Sequence, residues 1–182
     1  MKHRFAIIAS VLLAFLFMAI IHWRHLVLKE TMTCCYPANG QQIQMAITNH
    51  GAFPSKQIHQ TSTEYFKWLV SNKIIAVSYH FFSVPSYKPS NQDDFQAKDN
   101  AWCVVEHAKE STATGELPLL FTKNLAITSM SDIAGARLTK DPPFGQEGVV
   151  FVLLNGQKKT LKENEVRQYL SNFNADNQVL RP

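Results

Sequence analysis

Charged residues are scarce in this 182-residue chain, at 18%, against roughly 25% in an average soluble domain. Glycine (7) and proline (8) are also few, which excludes a collagenous or low-complexity chain. A hydrophobic share of 46% with twelve phenylalanines excludes disorder. An acidic balance is missing, and the basic one is small and local. Of the net charge of +4, +3 lies in residues 1–30, where Lys2, Arg4, Arg24 and Lys29 face Glu30 alone. The remainder is nearly neutral, so the pI near 9.0 gives no surface for nucleic acid.

Catalytic signatures are missing as well. The chain contains no Gly-x-Ser-x-Gly, Gly-x-Gly-x-x-Gly, Gly-Lys-Ser/Thr loop or His-Glu-x-x-His. Of seven histidines, three flank an N-terminal apolar run, and His50, His59, His80 and His107 are scattered singly, the pattern of surface or satisfied core residues. Asp93, Asp94 and Asp99 lack the spacing and glycine of a calcium loop, and read as a solvated acidic segment. Cys103 and His107 would lie about 13 Å apart along one strand face, too far for a nucleophile and its base. No catalytic, cofactor-binding or metal-binding residue is assigned.

The apolar run itself spans residues 5–21, interrupted only by Ser10 and flanked by Lys2-His3-Arg4 and His22-Trp23-Arg24-His25. Seventeen residues reach the short end of a membrane span. Trp23 and the flanking cations suit the bilayer interface. A cleaved signal peptide is the rival reading, but the run is longer than such a segment's apolar centre and no small-x-small cleavage pair follows it. Residues 1–30 are therefore expected to be an uncleaved anchor, and residues 31–182 an exported head. In an oxidising compartment Cys103 can pair with Cys34 or Cys35, leaving one thiol over. A cysteine close after the span is also open to lipidation, but the reading preferred for all three is small, partly buried residues with no chemistry.

Beyond the anchor, Tyr36-Pro37-Ala38-Asn39-Gly40 is expected to interrupt the helix, with a short helix over residues 41–48 stopped by Asn49-His50-Gly51. Thr61-Ser62-Thr63-Glu64 has capping-box spacing and starts a helix ending near Lys73. Its Tyr65, Trp68 and Leu69 form a core-facing stripe. Residues 84–100, with Pro85 and Pro89, read as an exposed loop. Residues 101–107 and 117–121 read as strands. Residues 148–154, Asn155-Gly156 and residues 157–161 read as a β-hairpin with a type I′ turn. A closing helix over residues 162–173 turns Val166, Tyr169 and Leu170 inward. The fold class is α+β, with a small, mostly antiparallel sheet.

Several stretches together carry a resemblance. They are the N-terminal apolar helix, Ala38-Asn39-Gly40-Gln41-Gln42-Ile43-Gln44-Met45-Ala46-Ile47, Gly51-Ala52-Phe53-Pro54, and Ser62-Thr63-Glu64-Tyr65-Phe66-Lys67-Trp68-Leu69-Val70. Asn100-Ala101-Trp102-Cys103-Val104-Val105, Pro118-Leu119-Leu120-Phe121-Thr122-Lys123-Asn124-Leu125 and Pro142-Pro143-Phe144-Gly145 continue it. The chain resembles the pseudopilin-like proteins of the type II secretion and type IV pilus class, in the divergent form of Verrucomicrobia and Lentisphaerae. That resemblance implies a single inner-membrane span, a periplasmic α+β head, and other pilin-like or secretion-system proteins as partners. It implies no enzyme activity and no cofactor. Trp102, Phe121 and Phe144 would be head core.

One departure concerns the start, Arg4-Phe5-Ala6-Ile7-Ile8-Ala9. It keeps Phe5 but has neither the glycine before it nor the acid within the apolar run that family processing and assembly use. A degenerate, monomeric paralogue and an initiating or capping subunit both fit. A second function class is an exported or anchored domain of the same fold that reads a peptide or glycan through residues 84–100. An enzyme is the third, with no residue set behind it.

Overall fold

The computed structural model describes residues 2–106, 116–173 and 177–182, with side chains from Ser10 onward. Helix α1 (Lys2–Thr33) is separated from α2 (Cys35–His50) by one residue, Cys34. Within this helical run, Ser10–His50 is long and apolar enough to cross a membrane, with mean hydropathy 2.0 in its most apolar window and none of that window buried. Phe15, Phe17 and Trp23 are each more than 60% exposed. Side chains this large normally bury most of their surface, at roughly 25 cal/mol per Å², and here a bilayer would be their solvent.

The expected interruption across residues 36–40 is corrected, because the helix resumes at Cys35 and runs through Pro37 and Gly40. Pro37 lies in the first turn of α2, where its missing N–H is tolerated. Its ring crowds the carbonyl four residues back, which is the physical cause of a break at this point. Cys34 absorbs that break with φ −112° and ψ −72°. Gly40 is not a turn residue. A Cβ there would lie 2.5 Å from Val152 Cγ2 and 2.9 Å from Trp102 Cη2, so the missing side chain lets α2 lie directly on the sheet. Ile43 and Ile47 are fully buried on the same face. The helix ends at Gly51, whose left-handed φ of +60° lets its N–H reach the Ile47 and Thr48 carbonyls.

Helix α3 (Ser62–Ser71) starts on the anticipated capping box. Thr61 Oγ1 accepts from Glu64 N–H at 3.1 Å, and the Glu64 carboxylate accepts from Thr61 N–H at 3.3 Å. Tyr65, Phe66 and Leu69 are its buried face, while Trp68 is half-buried.

A five-stranded sheet follows, built from β1 (Trp102–Val105), β2 (Pro118–Thr122), β5 (Val149–Leu153), β6 (Lys158–Leu161) and β7 (Val179–Leu180). Its order is β6-β5-β2-β1-β7, and every pairing is antiparallel. A separate ribbon pairs β3 (Leu125–Ala126) with β4 (Arg137–Leu138). Helix α4 (Glu163–Leu170) buries Val166, Tyr169 and Leu170 as expected. The central strands are buried on both faces. Trp102, Val104, Val150 and Val152 join the core under α2 and α3, whereas Cys103, Val105, Phe121 and Phe151 join a second core under α4. That double burial explains why β5 reads as a continuous apolar run rather than an alternating one.

The β5–β6 hairpin is present, but its turn is not type I′. Leu153 N–H donates to Gln157 O at 2.8 Å and Gly156 N–H to Leu153 O at 3.0 Å. Gly156 alone in the loop turns left-handed, at φ +80°. This is a three-residue loop with a G1-type glycine. Strand β1 stops at Val105, and His107 lies outside the described residues. Residues 84–100 form no strand. They are exposed around residues 90–94 and 96–98, but Phe95, Asp99 and Asn100 are buried, with Phe95 stacked on Tyr79 at 5.4 Å. The exposed-loop expectation is therefore corrected for these residues, because an aromatic cluster pulls the end of the segment inward.

Candidate functional site

The anchor meets the head where the last two turns of α1 pass the loop before β5. Met32 is buried, and a Cβ on Gly148 would lie 2.7 Å from Met32 Cε, so helix and loop touch without room to spare. His25 Nδ1 stands 4.0 Å from Glu147 Oε2, with both side chains more than half exposed. Solvent screens a pair of that kind, which orients more than it stabilises. Beside this contact is a groove of about 430 Å³ with Leu28, Met32 and Leu161 as its apolar lining. Lys29, Lys162, Glu147 and Glu165 stand around it and are exposed. Glu165 is partly committed, since its carboxylate accepts from Lys162 N–H at 2.7 Å at the start of α4.

The cysteines are not brought together. Cys34 and Cys35 are exposed at the helix break, whereas Cys103 is fully buried in the core under α4. The sheet stands between them and all three thiols are free, so neither of the Cys103 pairings that the sequence left open is present. Burial pushes the Cys103 thiol up to about 12, so it stays protonated and inert at neutral pH.

The acidic and histidine candidates also stay apart. Among the described residues no group of three or more His, Cys, Asp or Glu side chains is placed to hold a metal. Asp94 accepts from Ser90 and Asn91, while Asp99 is buried and accepts from Gln96 N–H. Each carboxylate therefore closes its own turn. His50 ends α2. His59 is buried with its ring 5.4 Å from Tyr65 and 5.2 Å from Trp68. His80 Nδ1 lies 2.5 Å from Ser78 Oγ, but both residues are exposed. Among the described residues no hydrogen bond or ion pair from a carboxylate orients that imidazole. Without one it lacks the third member that a serine–histidine nucleophile uses.

Lys123 and Arg181 went unread in the sequence because their roles depend on distant carbonyls. Lys123 Nζ donates to Lys98 O at 2.5 Å. Arg181 donates to Leu125 O at 2.8 Å, to Ile127 O at 3.3 Å and to Lys123 O at 2.9 Å. Burial lowers the Lys123 pKa. Arg181 ties the C-terminal segment to the head, and Lys123 ties the end of the 84–100 segment to it.

Comparison with protein-family models, curated proteins and solved structures found no match to this chain. The arrangement is an apolar helix with an exposed surface, joined through Cys34 to a well-packed α+β head that gathers no cluster of metal-binding side chains among the described residues.

Proposed function

We propose that this is a non-enzymatic, pseudopilin-like protein, held in the inner membrane by α1 with its head in the periplasm. It acts through protein–protein contacts in type II secretion or pilus assembly. The observation that carries this reading is the near-continuous α1–α2 helix. Its first part exposes a full apolar surface, and its second part backs the head sheet through Gly40, Ile43 and Ile47. Such a helix transmits the position of the head directly to whatever packs against α1 in the bilayer. The sequence resemblance supplies the class of partner, and the scattered reactive groups supply no rival chemistry.

Affinity purification of the full chain from detergent-solubilised membranes tests the reading. Other pilin-like or secretion-system proteins should be recovered, and substitution of polar residues for Phe15 and Phe17 should abolish their recovery. Recovery of none of these partners from intact membranes contradicts it.

A further inference from the structure

The groove between α1 and the head sits at a particular depth. The polar layer on each side of a bilayer adds roughly 5–7 Å to the hydrocarbon core, about four helical residues at 1.5 Å each. Counted from Ile21, that layer ends near His25, the first groove residue on α1. Lys29 lies one helical turn farther along, and its side chain is long enough to reach back toward that layer. The underside of the head, with Glu147, Lys162 and Glu165, closes the other wall. A lipid whose chains lie beside residues 5–21 therefore presents its headgroup at the mouth of this groove.

The charges are of both signs. Lys29 and Lys162 suit a phosphate, and Glu147 with the uncommitted oxygen of Glu165 suits an ammonium that can still donate hydrogen bonds. Leu28, Met32 and Leu161 offer apolar surface for the carbons between. A purely anionic headgroup would leave the two carboxylates opposed by like charge. A quaternary amine has no N–H to give them.

The geometry points to a lipid-binding site: this groove holds the phosphoethanolamine headgroup of a phospholipid from the membrane that α1 crosses. The inference rests on α1 spanning a bilayer and not on any pilin-like role. Loss of the partners tested above leaves it standing.

The test uses the full chain in bilayer discs made from equal parts of phosphatidylethanolamine, phosphatidylcholine and phosphatidylglycerol. Lipids retained after mild detergent extraction are counted by native mass spectrometry. Phosphatidylethanolamine should be enriched several-fold over both others. Glu147→Gln with Glu165→Gln should erase its preference over phosphatidylcholine while total lipid is kept, since Gln at 165 can still cap α4. Lys29→Gln with Lys162→Gln should lower retention of all three. Protection of Cys103 from a thiol reagent confirms that each variant keeps its core. Equal retention of the three lipids, or a preference for phosphatidylglycerol, overturns the proposal. A phosphatidylethanolamine preference that survives both double variants also overturns it. Displacement of the bound lipid by free glycerophosphoethanolamine at matched concentration reassigns the groove to a soluble ligand.

Discussion

At the scale of the residue, Gly40 is where chain and fold constrain each other most closely. Its absent Cβ would stand 2.5 Å from Val152 and 2.9 Å from Trp102, both buried in β-strands. Gly40→Val should therefore destabilise the head by about 1–3 kcal/mol through overpacking. In thermal unfolding that corresponds to a few degrees per kcal/mol. Adding Val152→Ala should recover part of the loss, and additive losses would show that the two sites do not touch. His59 makes a second residue-level prediction. Burial against Tyr65 and Trp68 lowers its pKa below the ordinary 6.5, with the nearby Glu64 charge opposing the shift. The unfolded chain then binds the proton more readily, so the His59 contribution is complete above about pH 6.5 and is lost as pH falls through and below that value. Unfolding titrations at pH 7.5 and pH 5 should show a smaller acid loss in His59→Phe than in the parent. An equal loss in both would remove His59 from the account.

At the scale of the element, legibility depended on whether the deciding contact was local. Thr61 and Glu64 sit three residues apart, and their reciprocal bonds are made within one turn, so the start of α3 could be read directly from the chain. Pro37 and Gly40 look like helix breakers in isolation. Their actual roles depend on position within a first turn and on a sheet contact more than a hundred residues away, at Val152. The hairpin was legible from Asn155-Gly156, but its loop length was not, because the strand register moves the turn by one residue. That difference can be measured. Gly156 carries φ +80°, and Asn155 accepts from Gln157 N–H at 2.9 Å. Gly156→Ala should cost about 1–2 kcal/mol from the left-handed backbone, more than Asn155→Ala, which removes one exposed hydrogen bond. A larger loss from Asn155→Ala would favour the type I′ turn. Strands β3, β4 and β7 have two residues each and no pattern of their own. They exist only because the head brings partners to them.

At the scale of the whole molecule, the α+β class and the apolar N-terminus were readable because each rests on a long, repetitive signal. The two-sided core was partly readable: Trp102, Phe121 and Phe144 are buried as expected, but Trp102 and Phe144 lie under α2 while Phe121 lies under α4. The groove at the head–anchor junction was invisible, since its walls come from residues 25–33, 147 and 160–165. Nothing in those separate stretches announces a shared surface. The proposed role requires that α1 stays attached and holds this head at a membrane. Carbonate extraction of native membranes, followed by N-terminal sequencing of the protein in each fraction, tests it most directly. The chain is expected in the membrane pellet, beginning at Met1 or within the first few residues. A soluble chain beginning beyond residue 22 would contradict it.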